Sequence, residues 1–267
     1  MLFRPALLLA CAVICAAPSA GQSVELRGEA LTGEMRSELA GELPDAKPAE
    51  TRFEARRQAD RAAQRLGNYL NSQGYFAAGV EPGVATGPPP EPYLTIEPGP
   101  RFTLSSASIA YVDGDVEAPA HEAAEAAIEL EAGAAITPKA VLGAESRIVK
   151  ALQAEGHAYA EAVPRQVIGN RDAATIAVTF KIDPGPRVVL GEVEYGESLR
   201  IRRRALDVLV PFKPGTPYTP KLLDEFNQRL GATRLFEVFN AQLASTPSAI
   251  TEDGAEVCNV VLTLIER

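Results

Sequence analysis

The chain has 267 residues and a formal net charge of −9, a balance that repels phosphate backbones and argues against nucleic acid as a partner. Three cysteines and two histidines are too few for a disulfide framework or a zinc scaffold.

Residues 1–20 read as a secretory signal. Arg4 supplies the positive start, Leu7 to Ala17 an apolar run broken only by Cys11 and Cys15, and Pro18-Ser19-Ala20 small residues for cleavage. The run is too short and wrongly flanked for a membrane-spanning helix. Leu8-Leu9-Ala10-Cys11 comes too early to serve as a lipid-attachment motif. Loss of the signal removes Arg4, takes the charge to −10 and leaves Cys258 as the one cysteine. Cys258 precedes the apolar positions Val260, Leu262 and Leu264, and is expected to be a small semi-buried side chain.

Residues 22–30 form a weak strand, followed by helices over Leu31–Leu43 and Phe53–Gln73 and strands over Tyr75–Val84 and Pro92–Ile96. The next strand runs from Phe102 to Val112 and ends in the turn pair Asp113-Gly114. A helix over Ala118–Glu131, with Ala123, Ala127, Ile128 and Leu130 among its apolar positions, closes at Gly133 as at a C-cap. Thr137 caps a second helix and Pro138 fits its first position. Val141, Ala144, Ile148, Ala151 and Leu152 give that helix one buried face. Gly156 ends it. Strands over His157–Ile168 and Ala174–Ile182 follow, joined by Gly169-Asn170-Arg171-Asp172. In the second of these, Ile176, Val178, Phe180 and Ile182 alternate with Thr175, Ala177, Thr179 and Lys181, so one face meets the helices. A strand at Val188–Tyr195, helices near 200–210 and 220–233, and strands near 235–243 and 257–265 complete the chain.

These elements repeat. Arg65 and Gly74 recur 82 residues later as Arg147 and Gly156. Gly133, Thr137-Pro138-Lys139 and Arg147 recur at the same offset as Gly215, Thr219-Pro220-Lys221 and Arg229. Glu97-Pro98-Gly99-Pro100-Arg101 returns as Asp183-Pro184-Gly185-Pro186-Arg187, and Leu264-Ile265-Glu266-Arg267 begins the motif again. Self-similarity at a fixed period marks tandem units. The expected fold is α+β, with three β-α-α-β-β units over 22–100, 101–186 and 187–267, each a three-stranded sheet covered by two helices. Short Pro-Gly-Pro linkers restrict the hinges between them.

The repeat resembles POTRA domains, the periplasmic modules of the BamA/TamA family of outer-membrane assembly factors. The residues that carry the likeness are Gln73-Gly74-Tyr75-Phe76 and Glu155-Gly156-His157-Ala158-Tyr159-Ala160-Glu161 at the helix–strand junctions. The Asp183–Arg187 junction and Gly215-x-x-Tyr218-x-Pro220 are similar to the TamA branch. The resemblance implies a periplasmic location at the outer membrane and a role in outer-membrane protein assembly or autotransporter secretion. It implies unfolded outer-membrane clients, a TamB-like partner anchored in the inner membrane, and a β-barrel that these residues do not supply. The alternative is a stand-alone periplasmic interaction scaffold.

POTRA relatives capture extended clients by adding a strand to a sheet edge, where unpaired backbone groups give affinity. The resemblance places that edge in the middle unit at Ala158, Tyr159, Ala160, Glu161, Ala162, Val163, Arg165, Gln166 and Val167, with Pro164 interrupting it. A proline at Glu161 or Gln166 would remove a donor if that amide faced outward, but alternation alone gives no phase. Arg200, Arg202, Arg203 and Arg204 form the one dense basic cluster, suited to anionic lipid headgroups or a barrel rim, or else a solvated helix face. His121 and His157 lack metal spacing, and no nucleophile elbow or phosphate loop is present. No catalytic residue, cofactor or metal is expected.

Overall fold

A computed structural model of the chain describes residues 24–114, 116–196 and 201–266, with the side chain of Glu266 excluded. The signal segment 1–20, Arg200 and Arg267 lie outside the described residues. The architecture is mixed α+β, with three sheets in sequence order along the chain.

The first unit contains β1 (Glu25–Arg27), α1 (Gly33–Gly41), α2 (Arg52–Ser72), β2 (Gly79–Val84) and β3 (Pro92–Glu97). Strand β3 is central, parallel to β1 and antiparallel to β2. Ala59 and Ala62 on α2 are small enough to bring the helix close to the sheet, and Leu66 and Leu70 pack with Leu94 and Ile96 of β3. The strand expected from Tyr75 starts only at Gly79. Gly74 takes φ +94, and the chain turns before it extends.

The middle unit contains β4 (Thr103–Tyr111), α3 (Ala118–Ala126), α4 (Pro138–Ala154), β5 (Glu161–Asn170) and β6 (Thr175–Asp183), with sheet order β4-β6-β5. Ile176, Val178, Phe180 and Ile182 are all buried on the helix-covered face of β6. On α4, Val141, Ala144, Ile148 and Leu152 are buried as the spacing requires, while Ala151 is only partly so. Thr137 Oγ1 accepts from the Ala140 amide at 3.2 Å, the N-cap bond expected there.

Helix α3 is shorter than its apolar pattern. It ends at Ala126 because Arg147 takes the carbonyls that follow: Nε donates to Ala127 O at 3.0 Å and Nη2 to Ile128 O at 2.7 Å. Glu129 then reverses the chain at φ +46 and pairs with Arg147 at 3.0 Å. Arg229, the equivalent residue 82 positions on, donates to Leu209 O at 3.4 Å. The repeated arginine therefore ends the first helix in two of the units. Gly133 is not a helix cap. Its N–H donates to Leu104 O at 2.7 Å and opens a short segment that pairs with the start of β4.

The third unit contains β7 (Val188–Tyr195), α5 (Arg203–Asp207), α6 (Pro220–Ala232), β8 (Phe236–Leu243), β9 (Ala249–Ile250) and β10 (Glu256–Glu266). Its sheet order is β7-β10-β8, and the unanticipated β9 pairs with the start of β10. Leu190, Leu206, Phe226, Leu230, Val260 and Leu262 build the core, and Cys258 is fully buried among them rather than half-buried. The glycine that ends the second helix elsewhere is absent here; Arg234 adopts the left-handed conformation itself, at φ +56.

Two compact bodies result. One holds the described residues up to Asn71 with Tyr75–Pro100; the other holds Ser72–Gly74 and the chain from Arg101 onward.

Candidate strand-docking edge

Strand β5 lies at the edge of its sheet and pairs only with β6, in antiparallel register from Glu161↔Asp183 to Asn170↔Thr175. A register shift between Val163 and Gln166 places a bulge at Pro164-Arg165. The bulge has a local cause. Pro164 has no amide to give the ladder, and Arg165 Nη1 donates to Glu145 Oε2 of α4 at 2.5 Å.

The hydrogen-bonding phase of β5 follows from its neighbour. Val112 N–H donates to Ile182 O at 2.9 Å, so the backbone groups of Ile182 face β4. Successive residues of a strand direct their backbone groups to opposite sides, so Asp183, Lys181, Thr179, Ala177 and Thr175 face β5. Their register partners Glu161, Val163, Gln166, Ile168 and Asn170 therefore point inward. Ala162, Val167 and Gly169 point outward. Glu161 and Gln166 both belong to the ladder, so proline at either would break the sheet rather than a docking surface.

Each expected site residue can now be placed. Ala158, Tyr159 and Ala160 are not on the strand; they form the turn between α4 and β5, tightened by an Ala160 N–H to His157 O bond of 3.0 Å. Ala160 is buried, and its carbonyl accepts from Gln153 Nε2 at 3.4 Å. Tyr159 reaches the third sheet, where its hydroxyl donates to Ala244 O at 3.3 Å and lies 3.6 Å from Cys258 Sγ. Burial, then the contact with Cys258, pushes its pKa up. Tyr159 is still 41% exposed, so it bridges two sheets rather than anchoring one core. Of the remaining residues, Ala162 and Val167 carry outward backbone groups, while Glu161, Val163 and Gln166 do not. Arg165 is held by Glu145.

Two residues outside the expected set, Ile168 and Gly169, matter beside Val167, which was expected. Val167 and Ile168 are 51% and 60% exposed, an apolar pair on the open end of the strand. A Cβ built on Gly169 meets nothing within 4 Å, so a side chain at that position would stand in open space. The turn that follows is closed by Asn170, whose Oδ1 accepts from the Asp172 and Ala173 amides at 3.0 and 3.1 Å. Gly169 was read as turn in the sequence; it belongs to the strand because Asn170 alone performs that job.

Arg202, Arg203 and Arg204 are exposed at the start of α5, which has only five residues and no side-chain cap. Arg203 lies 6.0 Å from the Tyr195 ring centre, and Tyr195 donates to Asp207 Oδ1 at 2.6 Å. Burial and that bond raise the Tyr195 pKa. No group of three or more His, Cys, Asp or Glu that could hold a metal occurs among the described residues. No described helix is long and apolar enough to cross a membrane.

Comparison with known proteins bears on the fold. The POTRA family model, described as a surface antigen variable number repeat, matches residues 112–185. No curated protein matches the sequence. Among solved structures, POTRA domains 3–5 of Haemophilus influenzae BamA align at a TM-score of 0.51 and 18% identity, over 92% of this chain and 96% of that one. BamA of Haemophilus ducreyi lacking POTRA domains 1–3 aligns at 0.50 and 15%, over 62% of this chain and 30% of that one. The middle unit carries the POTRA sequence pattern, and the three-sheet α+β fold is that of POTRA repeats.

Proposed function

We propose that this chain is a periplasmic POTRA arm in outer-membrane protein assembly or secretion, and that it binds extended clients by strand addition to β5. The observation that carries the reading is the unpaired outward backbone of Ala162, Val167 and Gly169 beside exposed Val167 and Ile168. Backbone pairing recognises extended chain with little demand on its sequence, which suits varied unfolded clients. The TamA-like junction motifs support a place in the translocation and assembly branch, with a TamB-like partner and a β-barrel as the further components. The units are proposed to divide near residues 100 and 186, behind a cleaved signal at 1–20. On this reading the chain is a scaffold, and Arg202, Arg203 and Arg204 are a secondary contact with acidic headgroups or a barrel rim.

The test is titration of the isotope-labelled protein with extended peptides that alternate apolar and polar residues. Backbone amide shifts concentrated over 162–170, with no change in helix content, are the expected result. Absence of any shift at millimolar peptide would sink strand capture.

A further inference from the structure

Strands β2, β5 and β8 are equivalent: each follows the second helix of its unit and lies at one edge of its sheet. Their backbone phases differ in what they leave free. In β2, Ala85 N–H donates to Glu91 O at 2.9 Å, so residues 79, 81 and 83 face β3 and Val80, Pro82 and Val84 face outward. The central outward position is a proline, which has no donor. Its carbonyl already accepts from Arg56 Nη1 at 3.3 Å.

In β8, Ala244 N–H donates to Asn259 O at 2.8 Å, which turns Phe239, Ala241 and Leu243 outward. Here the central position is occupied on both counts. Ala241 N–H donates to Asn227 Oδ1 at 2.8 Å, and Asn227 Nδ2 donates to Ala241 O at 3.4 Å. A side-chain amide carries both an N–H donor and a carbonyl acceptor, as a peptide group does. Asn227 thus fills the position that a docking strand would take.

The middle unit has no such plug at the open end of β5. The residue 82 positions before Asn227 is Glu145, an acceptor only, and it is committed to Arg165 in the bulge. On the opposite edge, residues 133–136 cover Phe102 and Leu104 of β4, and 215–218 cover Val188 and Leu190 of β7 by the same bonds. The second half of β4, Ala107 to Tyr111, is not covered in this way.

We infer that Asn227 closes the central docking position of β8, so that the third unit withholds the strand edge that β5 leaves open at Val167 to Gly169. The occupant is an extended polypeptide segment pairing with the backbone of Val167 and Gly169, with apolar side chains against Val167 and Ile168. This rests on the strand-capture reading above and adds what closes the equivalent edges of the first and third units.

Hydrogen exchange on the free protein tests the phase without any ligand. Val167 and Gly169 amides should exchange fast, Gln166 and Ile168 slowly, and Ala241 slowly until Asn227→Ala is introduced. Slow Val167 beside fast Gln166 would overturn the assignment. Binding then uses the full chain and a fluorescein-labelled ten-residue peptide of alternating valine and threonine. Wild type should bind one peptide, Val167→Pro should weaken it at least tenfold, and Asn227→Ala should bind two, with new shifts over 239–243. If Val167→Pro loses its circular dichroism signal, Gly169→Pro tests the same edge where there is open space. No binding to wild type defeats strand capture itself. Binding with shifts over 107–111, unchanged by proline at 167 or 169, keeps capture but moves it to β4 and overturns the edge assignment. Stoichiometry of one in folded Asn227→Ala overturns the plug.

Discussion

Leu152 and Tyr69 show how different the weight of single residues is in this fold. Leu152 sits on the buried face of α4 with no exposed surface, against the sheet side that carries Phe180 and Ile182. Its truncation to alanine removes buried methyl groups and leaves a cavity, a change that costs about 2–5 kcal/mol in well-packed cores. Urea unfolding of the described chain should show that loss; under about half a kcal/mol would mean the helix collapses onto the sheet unaided. Tyr69, by contrast, is only partly buried beside the core of the first unit and carries a polar bond at its tip. Its hydroxyl donates to Glu38 Oε1 at 2.5 Å, and chiefly that bond to a carboxylate pushes its pKa up to about 12. The folded state therefore holds the proton more tightly than the unfolded state, whose tyrosine titrates near 10. The contribution is complete below pH about 10 and is lost as pH rises through about 12. Absorbance titration at the tyrosinate band should move Tyr69 back toward 10 in Glu38→Gln. An unmoved transition would show that the bond is not made in solution.

At the scale of elements, helix ends and strand edges depend on side chains that arrive from elsewhere. Arg147 ends α3 by taking the carbonyls of Ala127 and Ile128. Arg147→Met keeps the stem and removes both bonds, so it should cost about 1–2 kcal/mol, discounted from charged-bond values because the side chain is partly solvated. Faster amide exchange confined to residues 127–132 should accompany it; unchanged exchange there would mean the reversal at Glu129 holds α3 by itself. Such long-range capping explains what the sequence could and could not reveal. Apolar spacing found α4 and β6 because burial there follows local periodicity, at Val141 through Leu152 and at Ile176 through Ile182. It overextended α3 because nothing within Ala118–Glu131 announces that Arg147, on another helix, will claim the carbonyls. The repeat and the edge strand were likewise legible, since glycines and prolines mark them. The phase of β5 was not, because period two is symmetric until a neighbouring strand fixes one bond. Asn227 was missed for the same reason: a lone asparagine in a helix carries no signal until Ala241 is folded beside it.

For the molecule as a whole, the consequential question is which repeats act as one body. The middle and third repeats belong to the same compact unit. Their junction is built from several independent bonds: Val188 N–H to Gly156 O at 2.9 Å, His157 Nδ1 with Gly185 O at 3.1 Å, an ion pair between Arg187 and Glu117, and Tyr159 on Ala244 O. Gly185 is needed there on two counts, φ +59 and a Cβ position only 3.3 Å from Tyr159 Cβ. His157 is almost fully buried and leaves Nε2 without a partner, a cost that only a well-packed junction offsets. These bonds should make the two repeats open together. Native-state exchange of Phe180 in β6 and Val260 in β10 should then report one opening free energy. Tyr159→Ala removes the side chain whose hydroxyl reaches Ala244 O and Cys258 Sγ of the third unit, and its partial exposure spares the core. The substitution leaves the Ala158 contact with that unit's core in place. It should separate the two values by about 1 kcal/mol or more while both sheets stay folded. Equal values in the variant would assign the coupling to the Gly156–Val188 backbone bond, and unequal values in wild type would show two independent repeats. The outcome bears on the proposed function: a strand docked on β5, as proposed, would be carried by whatever body the middle repeat moves with, and joined through Tyr159 that body includes the third repeat.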